Sequence, residues 1–161
     1  GKVYPGQNIK IKVCNKAINQ IKYWGSVKIK QTSKTGTLDI SIPGNSKPGA
    51  IPVLIDGKIV KWLVILEPLK VDGTGLSKVN GRLGISLKLK NTGTIPLPTK
   101  VTFEVSGQKE YSVKKIINKQ SDADFNMPLK ITGRIDPSKQ LKCLIKIKSG
   151  SLAEVVLDKK F

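Results

Sequence analysis

Few side chains in this sequence could do chemistry, and their spacing narrows them further. The chain has 161 residues and no histidine, so neither a Ser-His-Asp nor a Cys-His arrangement can be assembled, and zinc has no imidazole ligand. Cys14 and Cys143 are the only cysteines and form no CxxC pair. One disulfide would have to tie the first part of the chain to the last. Phase favours two separate thiols: Cys143 alternates with Leu141, Ile145 and Ile147 as a core residue does, whereas Cys14 shares phase with Lys10 and Lys12 or ends a strand. Among 11 acids, Asp122 and Asp124 in "SDAD" could put two carboxylates on one side of an extended segment. The stretch reads as a solvated loop ahead of Phe125; calcium would need further oxygen ligands and a DxDxDG loop. "DGTG" at Asp72–Gly75 is a turn rather than a phosphate loop, since no Gly-Lys-Ser/Thr follows. The sequence therefore offers no catalytic residue, no cofactor-binding residue and no metal ligand, and predicts a non-enzymatic protein.

What it offers in abundance is lysine. The net charge is +18, from 27 Lys and only two Arg, Arg82 and Arg134. Such a charge suits a polyanion partner, but dedicated phosphate and base readers favour the bidentate fork of arginine. A lysine- and isoleucine-rich composition also fits thermophile proteins. Both halves are basic: residues 1–67 carry 11 Lys against 3 acids, and residues 68–161 carry 18 basic residues against 8 acids. The polyanion candidates are Lys28, Lys30, Lys88, Lys90, Lys146 and Lys148, each alternating with apolar neighbours in "SVKIKQ", "SLKLKN" and "LIKIKSG". Aromatic residues for base stacking are scarce. Tyr23 and Trp24 beside Lys22 are the candidate exposed contact pair, although a core or interdomain role is the favoured reading. Trp62, Val64 and Leu66 share one face of a strand and read as core.

The elements that must position these residues are strands. Alternation recurs throughout, and the best helical stretch, around Lys114–Gln120, is short and mixed. In the first half, strands are predicted near Ile9–Cys14, Val27–Gln31, Leu38–Ile42, Ile51–Ile55 and Ile59–Leu66. "IDGK" at Ile55–Lys58 is the strongest hairpin signal. "LKVDGTGLSKVNG" (Leu69–Gly81) reads as a connector plus a short first strand. Strands then follow near Arg82–Lys90, Lys100–Val105, Glu110–Ile117, Ala123–Ile135, Leu141–Lys148 and Leu152–Leu157. Turns every 8–12 residues or so fit antiparallel sandwiches. Two halves, 1–67 and 68–161, each hold enough strands for a small β-domain. In such a sandwich the lysines between inward residues face water by geometry.

"ISLKLKNTGTIPLPTKVTFEVSGQ" (Ile85–Gln108) resembles the CARDB-type, cell-adhesion-related immunoglobulin-like modules of bacteria and archaea. "LDISIPGNSKPGAIPVLIDGK" (Leu38–Lys58) is similar to the loop-and-strand of other extracytoplasmic immunoglobulin-like repeats, without the Tyr that often follows "KPG" there. The resemblance implies an all-β fold of two immunoglobulin-like antiparallel β-sandwich domains in tandem. In those families the Asn-Thr-Gly turn is a structural corner. The implied function is a spacer and protein-docking module of a prokaryotic, archaeal-thermophile-like cell-surface or membrane-anchored protein, placed outside the cytoplasm.

The candidate protein contacts are Tyr23, Trp24, Asn45, Lys47, Asn91, Thr92 and Thr94. The expected partner is a protein or another copy of the chain; no small-molecule substrate is expected. Two alternatives stay open: a cytoplasmic or viral basic β-protein coating nucleic acid or another polyanion, and a capsid or filament subunit. No run approaches the roughly 18 apolar residues of a membrane span. The sequence starts at Gly1 rather than Met, as a processed or engineered fragment would. Membrane association is therefore expected only through segments outside this sequence.

Overall fold

Period-two alternation of branched apolar residues with lysine leaves the backbone one economical solution, a strand with one dry face. The computed structural model describes residues 1–12, 21–23, 27–31, 36–131, 136 and 138–161. They form β-strands and turns, without helix. The chain divides into two compact units, Gly1–Pro68 with Gly93–Ile95, and Leu69–Thr92 with Pro96–Phe161.

In the first unit the strands are β1 (Lys2–Val3), β2 (Asn8–Lys12), β3 (Ile21–Tyr23), β4 (Lys28–Gln31), β5 (Thr37–Ser41), β6 (Gly49–Ile55) and β7 (Lys58–Ile65). They make two sheets, ordered β1-β7-β6-β3 and β2-β5-β4. Pairing is antiparallel except that β1 runs parallel to β7, a departure from the purely antiparallel expectation. Between the sheets lie Val3, Val27, Leu38, Ile40, Ile42, Val53, Ile55, Leu63 and Ile65. The "IDGK" hairpin forms: Ile55 pairs with Lys58, and Asp56 and Gly57 take φ of 49° and 80°. Positive φ at both loop positions matches the right-handed twist of the strands it joins.

The second unit comprises β8 (Leu69–Val79), β9 (Arg82–Asn91), β10 (Leu97–Val105), β11 (Tyr111–Ile117), β12 (Ser121–Pro128), β13 (Lys142–Ser149) and β14 (Val155–Lys160). Its sheets are β12-β9-β8 and β11-β10-β13-β14, antiparallel throughout. The chain changes sheet between β9 and β10, between β11 and β12, and again between β12 and β13. Those crossings give the immunoglobulin-like order. Ile85, Leu87, Leu89, Val101, Phe103, Phe125, Ile145 and Ile147 are fully buried between the two sheets. Each such side chain contributes on the order of 2 kcal/mol of apolar burial.

Three expectations change. Leu69–Val79 is an 11-residue edge strand rather than a connector with a short strand. A bulge between Val71 and Gly73 absorbs one residue, and Asn80-Gly81, with φ of 51° and 78°, closes a two-residue hairpin into β9. Asp122 and Asp124 lie within β12, not in a loop. Trp62 is 51% exposed and Val64 37% exposed, so their face of β7 points outward. Leu63 and Ile65 turn inward instead, because Leu63 pairs with Ile51 and Ile65 with Val3, and both of those neighbours line the core.

Candidate functional site

The polyanion candidates do not form one surface. Lys28 and Lys30 lie on β4 in the first unit, Lys88 and Lys90 on β9, and Lys146 and Lys148 on β13 in the opposite sheet of the second unit. Register also partners several of them with carboxylates. Lys88 sits directly across from Asp124 and Lys90 from Asp122. The "SDAD" acids therefore answer the "KLK" lysines, and opposite charges so placed stabilise a sheet. Lys30 lies across from Asp39, which faces Lys10 on its other side at 3.9 Å. With Lys28 and Asn8 these side chains border a concavity of ≈ 420 Å³ on the outer face of the β2-β5-β4 sheet. Lys146 contacts Glu104 at 2.5 Å, and that carboxylate raises the pKa of the lysine, through a hydrogen bond and then through charge.

The protein-contact candidates divide as well. Asn45, Lys47 and Thr94 are exposed, and Thr92 is half-buried. Asn91 is fully buried and its side-chain amide donates to the carbonyl of Ile117 at 3.1 Å, which corrects its assignment as a contact residue. It is an internal corner: the end of β9 is tied to the end of β11 before the chain changes sheet. The side chain of Tyr23 and the whole of Trp24 lie outside the described residues, as does Cys14. Cys143 is an unbridged, buried thiol whose pKa is pushed up to about 11 by burial and by the nearby Glu104 charge.

The outward face of β6 and β7 is a feature that sequence phase misassigned. Trp62 lies across from Pro52, Val64 from Ala50, and Ile59 from Leu54. Ile59 is 52% exposed. Lysines flank this apolar strip on both outer strands, with Lys2 of β1 across from Val64 and Lys22 of β3 across from Leu54. An apolar centre holding a tryptophan inside a polar rim is the anatomy of a protein contact surface. Phase pointed the other way: Lys61 shares the phase of Leu63 and Ile65, which made Val60, Trp62 and Val64 look like the dry side.

Among the described residues, no group of three or more His, Cys, Asp or Glu side chains could hold a metal ion. No helix in that set is long and apolar enough to cross a membrane.

No family model and no curated protein matches this chain. Among solved structures, a chain from "Structural basis of neurohormone perception by the receptor tyrosine kinase Torso" is similar at a TM-score of 0.38 and 11% identity, over 96% of this chain and 68% of that one.

Proposed function

We propose that this chain is a non-enzymatic interaction module of the CARDB-like, immunoglobulin-like type, serving as spacer and docking surface in a prokaryotic cell-surface or membrane-anchored protein. The observation that carries the docking reading is the Trp62 strip on β7 and β6. It is apolar, half-exposed and rimmed by Lys2 and Lys22. The interleaving of lysines with Asp39, Asp122 and Asp124 favours this reading over a continuous polyanion face.

The test is quantitative capture from envelope extracts of the source organism with wild type, Trp62→Ser and Lys22→Glu. Docking through this strip predicts a captured protein whose affinity falls about 30-fold or more with Trp62→Ser and less with Lys22→Glu, as expected of a central anchor and a rim charge. Equal capture by wild type and Trp62→Ser would refute the assignment.

A further inference from the structure

The outer face of the β11-β10-β13-β14 sheet carries its charges in two separate rows. Lys114 of β11 lies across from Lys100 of β10, and Lys100 lies across from Lys148 of β13. Four residues along β10, Glu104 faces Leu144, and Leu144 faces Asp158 of β14. Glu110 precedes Tyr111, which pairs with Phe103, so the same register brings Glu110 beside Glu104. Between the rows run Ser112, Thr102, Lys146 and Val156. Four strand residues separate the lysine row from the carboxylate row by about 13 Å.

Three lysines in direct cross-strand register repel one another, which is a cost to the isolated sheet. Lys148 also donates to the carbonyl of Leu152 at 2.6 Å. Lys100 and Lys114 remain solvent-exposed. Four of the chain's 11 acids, Glu104, Glu110, Glu154 and Asp158, gather on or beside this one face. With Lys100, Lys114, Lys142, Lys146, Lys148 and Lys160 the face sums to six minus four, or +2, in a chain of +18. A polyanion drawn to the lysine row would meet the carboxylate row next. The complementary surface carries both signs in the reverse order, and the same face turned end over end has that pattern.

We infer that two copies of this chain associate through this face, about a twofold axis running across the strands at the Thr102–Lys146 row. The rotation brings Lys114 onto Glu110 and Lys100 onto Glu104 of the opposing copy, and each pair occurs twice because the interface is isologous. Val156, 51% exposed, meets its own counterpart. Lys146 meets its own as well, with Glu104 already beside it to offset the repulsion. At the rim, Glu154 approaches Asp158 of the opposing copy, and Lys148 on the neighbouring strand moderates that contact. Strands of seven, nine, eight and six residues, about 25 Å long on average and about 4.8 Å apart, cover roughly 475 Å² per copy, or about 950 Å² in all. That lies just below the roughly 1,000 Å² typical of a stable specific contact, so the dimer is weak and transient, and weakened further by salt. The inference uses a different face from the Trp62 strip and does not depend on it.

Sedimentation velocity over a concentration series, at low and at physiological salt, is the test. The expected result is a salt-weakened dimer for wild type and at least about tenfold weaker association for Lys100→Glu and for Glu104→Lys. The charge-swapped double variant Lys100→Glu with Glu104→Lys keeps the wild-type net charge and recovers the dimer, because the twofold again sets opposite charges against each other. Matching circular dichroism spectra and melting temperatures establish that the variants are folded. A wild type that stays monomeric at the highest concentration overturns the inference, as does a charge swap that stays monomeric. So does a dimer that both single variants leave unchanged, or one abolished only by Trp62→Ser.

Discussion

Asn91 and Ile117 are joined inside the second unit by a 3.1 Å hydrogen bond from the side-chain amide of Asn91 to the backbone carbonyl of Ile117, and both residues are fully buried. The asparagine of "KNTG" thus closes a corner of the sandwich. Asn91→Ala is expected to cost about 1–3 kcal/mol in urea unfolding, since it strands a buried carbonyl. Asn91→Asp is expected to be worse at pH 7 than at pH 4. An ionised carboxylate cannot donate to Ile117, whereas a protonated one can. Equal stability of the Asp variant at both pH values, after subtracting the wild-type change, would refute the donor role.

Gly84 and Gly75 lie in paired strands of one sheet and predict opposite outcomes. Gly84 is buried in β9, and a Cβ there would come within 2.5 Å of Val79 Cγ2 and 2.7 Å of the Met127 carbonyl oxygen. A Cβ on Gly75 of β8 would meet nothing within 4 Å. Gly84→Ala is therefore expected to lose about 1–3 kcal/mol through overpacking. Gly75→Ala is expected to stay within about 0.5 kcal/mol of wild type, where a stiffer unfolded chain offsets any loss. Adding Val79→Ala to Gly84→Ala should recover only part of the loss, because the backbone oxygen of Met127 cannot be trimmed. Thermal unfolding of the four proteins reads this directly.

Much of this architecture was legible in the sequence, for reasons visible at single residues. Leu87 and Leu89 are buried and Lys88 and Lys90 exposed because a strand alternates, and "IDGK" turns because Asp-Gly tolerates positive φ. "VNGR" carried an equally good hairpin signal at Asn80-Gly81, masked by the glycines of "DGTG", which suggested a connector although β8 continues through them by a bulge. Alternation failed at Trp62, where Leu63 and Ile65 share a phase with Lys61 and only cross-strand partners decide which side is dry. The charge rows on β10 and its neighbours were not legible at all. Lys100 and Lys148 are 48 positions apart, and register alone makes them neighbours.

Thr99 and Ser149 test how polar groups are accommodated in the second core. Both are buried, and their hydroxyls lie 2.8 Å apart across β10 and β13. Thr99 Oγ1 also donates to the carbonyl of Leu97 at 3.1 Å. A hydroxyl has one proton, so Ser149 is the donor in the shared bond. Thr99→Val leaves the Ser149 hydroxyl without its acceptor, whereas Ser149→Ala leaves Thr99 still bonded to Leu97. Thr99→Val should therefore be the more costly of the two, with a coupling of about 1 kcal/mol in a double-mutant cycle. The reverse order of costs would mean that the proton lies the other way.

Cys143 gives a pH signature. Burial, aided by the Glu104 charge, raises its pKa from 9.0 to about 11, so the folded protein keeps this proton where the unfolded chain loses it. Its contribution to stability is thus fully present below pH 9, falls as pH rises from about 9 to about 11, and levels off above that. The measurement is the difference between wild type and Cys143→Ala, in which the contributions of other groups cancel. That difference should be constant up to pH 9 and then shrink by on the order of 2 kcal/mol by pH 11. In a Cys14→Ser background the thiol should also react with a disulfide reagent at pH 8 only as fast as the protein opens, and denaturant should accelerate the reaction. Rapid modification of the native protein, or a pH-independent difference, would contradict the burial of this thiol.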